Sequence, residues 1–153
     1  MQLQNPSVIG NAAKLIVDNY FSSINREDFA TTVSLFAEEG KLLAPFEEPI
    51  IGTEAIASYL AEEAKGMKLF PQQIISLSTE NNTQEIQVTG KVTTSFFSVN
   101  VAWFFILSDG EYASENLLQL LKRCEECYQI ASVKIKLLAS PKQLLGLQKF
   151  AKK

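Results

Sequence analysis

Three pairs of adjacent glutamates, Glu38-Glu39, Glu47-Glu48 and Glu62-Glu63, and the segment Cys124-Glu125-Glu126-Cys127 carry the side chains of this sequence whose types and spacing suit chemistry. Paired carboxylates can divide acid and base work, and two cysteines three apart can hold a metal or form a redox disulfide. Neither pattern is completed here. Neighbouring residues on a helix or strand face different ways and do not converge on one substrate, so the glutamates read as solvated. A tetrahedral zinc site needs four ligands, and the chain has no second cysteine pair and no histidine. Packed or solvated thiols are the better reading, with a disulfide between two subunits left open. The lack of histidine also removes the side chain whose ordinary pKa suits proton transfer near neutrality, which excludes histidine-dependent triads. Asp18, Asp28 and Asp109 fall in helix-surface, helix-cap or turn contexts. The chain is expected not to be an enzyme.

The elements around these residues are legible from periodicity. Val8, Ile9, Ala12, Leu15, Ile16, Tyr20 and Ile24 recur at three and four, which predicts a helix from Pro6 to Ile24. Asp28 can cap a second helix reaching Phe36, with Phe29, Val33 and Phe36 inward. Lys41 to Ala44 and Glu48 to Ile51 read as short extended pieces. A third helix runs from an N-cap signal at Thr53 and Glu54 to about Ala64, stopped by Gly66. Strands follow at Leu69 to Ser78, Glu85 to Thr94, Val99 to Leu107 and Ile130 to Leu138. Glu115 to Tyr128 is amphipathic, and Ser140, Pro141 and Gln143 open a last helix. Helices first and a strand meander later predict an α+β fold with a mainly antiparallel sheet.

The 153 residues suit a single domain, at which size roughly 70% of the surface exposed by the unfolded chain can be buried. A net charge of -3 offers no basic field for nucleic acid. Met1 to Asn11 lacks a secretory pattern, and the longest nearly apolar run, Phe96 to Leu107, is too short to span a bilayer. A cytoplasmic protein is expected.

The segments Tyr20 to Phe29, Leu35-Phe36 through Gly40, Pro45-Phe46, Pro49 to Gly52, Glu62-Glu63, Lys68-Leu69, Val88 to Val92, Ala102-Trp103 and Leu137 to Lys142, in this order, resemble the C-terminal domain of the orange carotenoid proteins of cyanobacteria. The resemblance covers nearly the whole chain and is to the free-standing homologues of that domain, with no helical domain before it. It implies the cone of the nuclear transport factor superfamily, in which a curved sheet and helices form an open-mouthed apolar pocket. It further implies a ketocarotenoid of the canthaxanthin or echinenone type, whose carbonyl is held by Tyr20 and Trp103 while Ile24, Met67, Leu69, Val99 and Phe105 line the pocket. Glu63 matches an acid that faces the helical domain in two-domain members. Without the resemblance, Tyr20 and Trp103 read as core residues. With it, burial at about 25 cal/mol per Å² supplies the affinity, and hydrogen bonds of ~0.5 to 1.5 kcal/mol each supply orientation and colour.

A domain with a radius of gyration of roughly 15 Å cannot enclose a long polyene alone. A homodimer sharing one carotenoid, mouth to mouth, is therefore expected, as are transfer to a helical carotenoid-binding domain, quenching of singlet oxygen and transient membrane contact to collect pigment. Phe96 stands where the family usually has another tryptophan, Phe104 replaces a usual arginine, and Phe97 to Val99 is shorter than the family's loop. At about residues 109–128 the chain carries an inserted helical segment in place of a tight hairpin, read as packed on the domain or, more sharply, as covering the mouth or shaping the dimer. The competing functions are an isomerase or dehydratase on the same cone, and a ligand-free interaction module.

Overall fold

The computed structural model describes residues 11–80, 83–109 and 128–138. The start of the first helix, most of the inserted segment, both cysteines and the helix expected from Ser140 lie outside the described residues.

The first helix, α1 (Asn11–Asn25), buries Ala13, Val17, Tyr20, Phe21 and Ile24 along one face. Leu15 does not share that face. It is 61% exposed, although its spacing had placed it with the apolar set. The short α2 (Phe29–Ser34) is capped by Asp28, whose side chain accepts from the Thr31 amide at 3.3 Å and the Thr31 hydroxyl at 2.7 Å. These bonds, with the Thr31 hydroxyl first among them and Arg26 adding its charge, hold the Asp28 carboxyl below its ordinary range.

Helix α2 stops short of Phe36, which instead opens β1 (Phe36–Leu43). The reason is not local. The Ile130 amide donates to the Leu35 carbonyl at 2.8 Å, and Phe36 pairs with Ile130 in a parallel ladder, so a strand far along the chain captures this segment. The extended piece read at Lys41 is the end of this longer strand. After β2 (Ile50–Ile51) comes α3 (Thr53–Glu63). Its N-cap is Gly52, at φ +97 and with no side-chain cap bond, rather than Thr53. Gly66 stands at φ +85, a region that favours glycine, and its amide donates to Glu27 Oε2 at 2.9 Å.

The remaining strands are β3 (Lys68–Glu80), β4 (Thr83–Thr93), β5 (Ser98–Asp109) and β6 (Tyr128–Leu137). The sheet order is β2-β1-β6-β5-β4-β3, antiparallel throughout except for β1 beside β6, and it does not close. Asp109 thus ends a strand. Alternation puts Ile86 and Val88 of β4 and Val101, Trp103, Phe105 and Leu107 of β5 on the face toward the helices, and in β6 the register irregularity opposite Ile106 and Leu107 brings Ile130 to the same face as Val133. Register stacks Val88, Trp103 and Ile135 in one row and Ile86, Phe105 and Val133 in the next. The β3–β4 register slips between Pro71 and Gln73, opposite Gly90. A Cβ on Gly90 would stand 2.2 Å from the Phe70 carbonyl oxygen, so glycine permits the close approach that bends the sheet at this bulge. The curved sheet and the helices form the open cone expected.

Candidate functional site

Inside the cone lies a cavity of about 470 Å³. Helix α1 contributes Tyr20 and Ile24, and α3 contributes Tyr59, Leu60 and Glu63, continued by Ala64 and Met67. The facing wall is Leu69, Val92, Val99, Val101, Trp103, Ile135 and Leu137. Leu42, the loop Ala44 to Glu47, Thr94 and Phe97 complete it. Burial grades the wall: Tyr20, Leu42, Val101 and Trp103 are enclosed, whereas Phe46, Glu47 and Glu63 are exposed and mark the mouth.

Tyr20 and Trp103 are set by aromatic packing. Tyr20 meets Phe105 edge-on with ring centroids 5.0 Å apart, and Phe21 meets Trp103 edge-on at 4.7 Å. Tyr20 also touches Phe21 at 5.2 Å and Phe36 at 6.4 Å. Their polar ends are another matter. Among the described residues, neither the Tyr20 hydroxyl nor the Trp103 indole N–H has a hydrogen-bond partner, although the two residues are 2% and 1% exposed. Buried donors normally find acceptors, and both of these residues form the wall of an open space. Burial, and secondarily Tyr59, pushes the Tyr20 phenol far above its ordinary range, so it stays an O–H donor. Burial, with Glu47 and Glu63 adding to it, pushes Tyr59 up to about 12.

Of the residues expected at the site, Tyr20, Ile24, Met67, Leu69, Val99 and Trp103 are brought together on the wall. Phe105 is not. It lies fully buried behind Tyr20 as its packing partner, because the cavity ends one row short of it along β5. Sequence reasoning missed Val101, which shares a strand face with Val99 and Trp103 and was open to discovery by alternation. It also missed Tyr59, one helical turn before Glu63. Asn25, just past the helix predicted to end at Ile24, carried no sequence signal for the role it plays. Its amide makes two hydrogen bonds to the Leu69 backbone, accepting from the amide at 2.7 Å and donating to the carbonyl at 2.9 Å. It thereby pins the start of β3 to the end of α1 and sets Met67 and Leu69 on the wall.

The most enclosed part of the wall offers two donors, the Tyr20 hydroxyl and the Trp103 indole N–H, and the less buried part adds Tyr59, Thr94 and two carboxylates. Its carboxylates, Glu47 and Glu63, are exposed rather than held opposite an oxyanion donor as proton abstraction would require. Among the described residues no group of three metal-ligating side chains comes together, and no helix is long and apolar enough to cross a membrane.

No protein-family model matches the sequence. The chain is 39% identical over 132 residues to the orange carotenoid-binding protein of Limnospira maxima, an alignment that takes in 84% of this chain and 36% of that protein. This chain is a homologue of the C-terminal domain of the orange carotenoid-binding proteins. It spans about a third of the length of those relatives, and the other parts of them have no counterpart in the alignment. In three dimensions it matches the orange carotenoid protein of Anabaena (Nostoc) sp. PCC 7120, solved binding canthaxanthin, with a TM-score of 0.67 and 33% identity over 93% of this chain and 40% of that one. A ketosteroid isomerase-like protein from Erwinia carotovora shares the fold alone, at 12% identity and a TM-score of 0.60 over 84% of this chain and 95% of that one. The cone of orange carotenoid-binding proteins is thus the nuclear-transport-factor-like fold, on which both binding proteins and enzymes are built.

Proposed function

We propose that this chain is a ketocarotenoid carrier, whose cavity takes one terminal ring of the pigment with its carbonyl oxygen accepting from Tyr20 Oη–H and Trp103 Nε1–H. The observation that carries the reading is the pair of enclosed donors left without acceptors among the described residues on a mostly apolar wall. A ligand that is hydrocarbon except for one acceptor suits that wall. Homology to proteins named for carotenoid binding supports the choice of pigment, and canthaxanthin in the Anabaena protein supports its oxidation state. Ile24, Met67, Leu69 and Val99 supply apolar contact, and Phe105 acts through Tyr20.

The pigment, not the protein, takes up excitation energy from singlet oxygen. The protein keeps it dispersed in the cytoplasm, collects it by transient contact with membranes, stores it as a homodimer sharing one molecule, and passes it to a helical carotenoid-binding domain. An interaction module would fill its pocket with its own side chains, which a cavity of about 470 Å³ does not favour.

The test is expression in a host that makes ketocarotenoids, followed by purification. A coloured protein is expected, and a colourless one would overturn the reading. Donors at the carbonyl draw electron density toward oxygen and lower the excitation energy. Tyr20→Phe and Trp103→Phe should therefore each move the visible band to shorter wavelength, and unchanged spectra would remove both from the role assigned to them.

A further inference from the structure

We propose that Glu47 and Glu63 make the cavity a charge filter, which admits apolar ligands with neutral polar ends and refuses those of the same shape that end in a carboxylate. The inference rests on the reading of the cavity as an apolar-ligand site and concerns which ligands that site accepts. Every charged side chain on the wall is an acid. Glu47 comes from the loop after β1 and Glu63 from the end of α3, and both are exposed at the mouth. No lysine or arginine is part of the wall among the described residues, and the chain has no histidine. The ammonium of Lys68, next to the wall residues Met67 and Leu69, is turned to the Asn25 carbonyl at 3.0 Å. Neither carboxylate has an ion-pair partner among the described residues, where the salt bridges are Lys14 to Asp18 and Arg26 to Asp28. The two acids act on the same space, since both raise the pKa of Tyr59 between them.

The inner end supplies the second constraint. Tyr20 and Trp103 are neutral donors, so they satisfy a carbonyl or hydroxyl oxygen without a counter-ion. An anionic ligand has two orientations and both are unfavourable. With its carboxylate outward it sits beside Glu47 and Glu63. With its carboxylate inward it loses its hydration in an enclosure to which the described residues bring no cation. A retinoid or polyene ending in an alcohol or ketone meets neither obstacle.

All-trans-retinol and all-trans-retinoate share a skeleton and differ in charge at one end, and both absorb where tryptophan emits. Trp103 is the chain's single tryptophan and stands on the wall, so quenching of its emission reports entry. Titrations of the ligand-free protein at low ionic strength should give a dissociation constant for retinoate at least about tenfold above that for retinol. The gap should narrow at about 0.5 M salt, where exposed charges are screened over a few Å. In the double variant Glu47→Gln/Glu63→Gln the ratio of the two constants should fall to within about threefold of unity. Equal binding of the two probes by the native protein, or an unchanged ratio in the double variant, would overturn the filter. If neither probe quenches Trp103 while canthaxanthin is still taken up, the filter is wrong and the pigment reading stands. If canthaxanthin also fails, both are wrong.

Discussion

At Tyr20 the ring and the hydroxyl have separable duties. The ring packs against Phe21, Phe36 and Phe105 and belongs to the core, whereas the hydroxyl has no partner among the described residues and is the group proposed to bind the pigment. Tyr20→Phe should therefore leave the ligand-free protein as stable as the native one to within about 1 kcal/mol, as measured by urea unfolding, because no net hydrogen bond is lost. A larger loss would show that the hydroxyl serves the fold. The same variant has a signature at high pH. The folded pKa of Tyr20 is raised above the ordinary value of about 10 that it keeps when unfolded. Below that value both states hold the proton and stability does not respond. Above it the unfolded chain releases the proton first, so stability falls as pH rises. Replacing Tyr20 should make the fall above about pH 10 shallower without abolishing it, since Tyr59 titrates in the same sense. An identical slope would contradict the burial that sets the shift. Sequence alone marked Tyr20 and Trp103 only through family resemblance, because an aromatic residue on a helix or strand face has the same pattern whether or not its polar end is satisfied. Phe105 has the same alternation as Trp103, and only the depth at which the cavity ends separates wall from support.

Among the elements, the central strands and α3 were legible because their signals are local: period two in β4 and β5, and Gly66 after a helical run. Phe36 was not, since its neighbours suit a helix and it is a strand only because β6 reaches it. The bend in the sheet was equally hidden, being a joint property of Pro71 on one strand and Gly90 on the next. That bend is testable. A methyl group at position 90 must displace the backbone of Phe70 and Pro71, not a flexible side-chain end. Gly90→Ala should accordingly destabilise the protein by more than about 2 kcal/mol in urea titrations, at the severe end of overpacking. It should also disturb the site, because β3 carries Leu69 on the cavity wall. Stability within about 0.5 kcal/mol of the native protein would mean that β3 can shift freely away from β4.

For the whole molecule, the order of helices and strands made an α+β fold with a mainly antiparallel sheet legible and the family resemblance supplied the cone, but the extent of its cavity was not legible, since it depends on how far the curved sheet stands off α1 and α3. That extent bears on assembly. A cavity of about 470 Å³, with the exposed Phe46, Glu47 and Glu63 at its mouth, can take one end of a long rigid polyene and would leave the rest as hydrocarbon in water, at about 25 cal/mol per Å². A second identical cone would cover the remainder with the same surface and need no new interface chemistry, which is the economy of a two-fold axis. A pigment bound between two chains favours the dimer by mass action. Loading should therefore drive association: the ligand-free protein should be monomeric at concentrations where the pigmented protein sediments as a dimer, with one pigment for every two chains. Phe96, 82% exposed in the turn between the wall residues Thr94 and Phe97, is the large apolar side chain next to the cavity wall that a mouth-to-mouth dimer is proposed to cover. Phe96→Asp should weaken the pigmented dimer by introducing like charges across the axis, while retinol still quenches Trp103 in the single cone. One pigment per chain in a stable monomer would instead require that a single cone, with the segments beyond the described residues, covers the whole polyene.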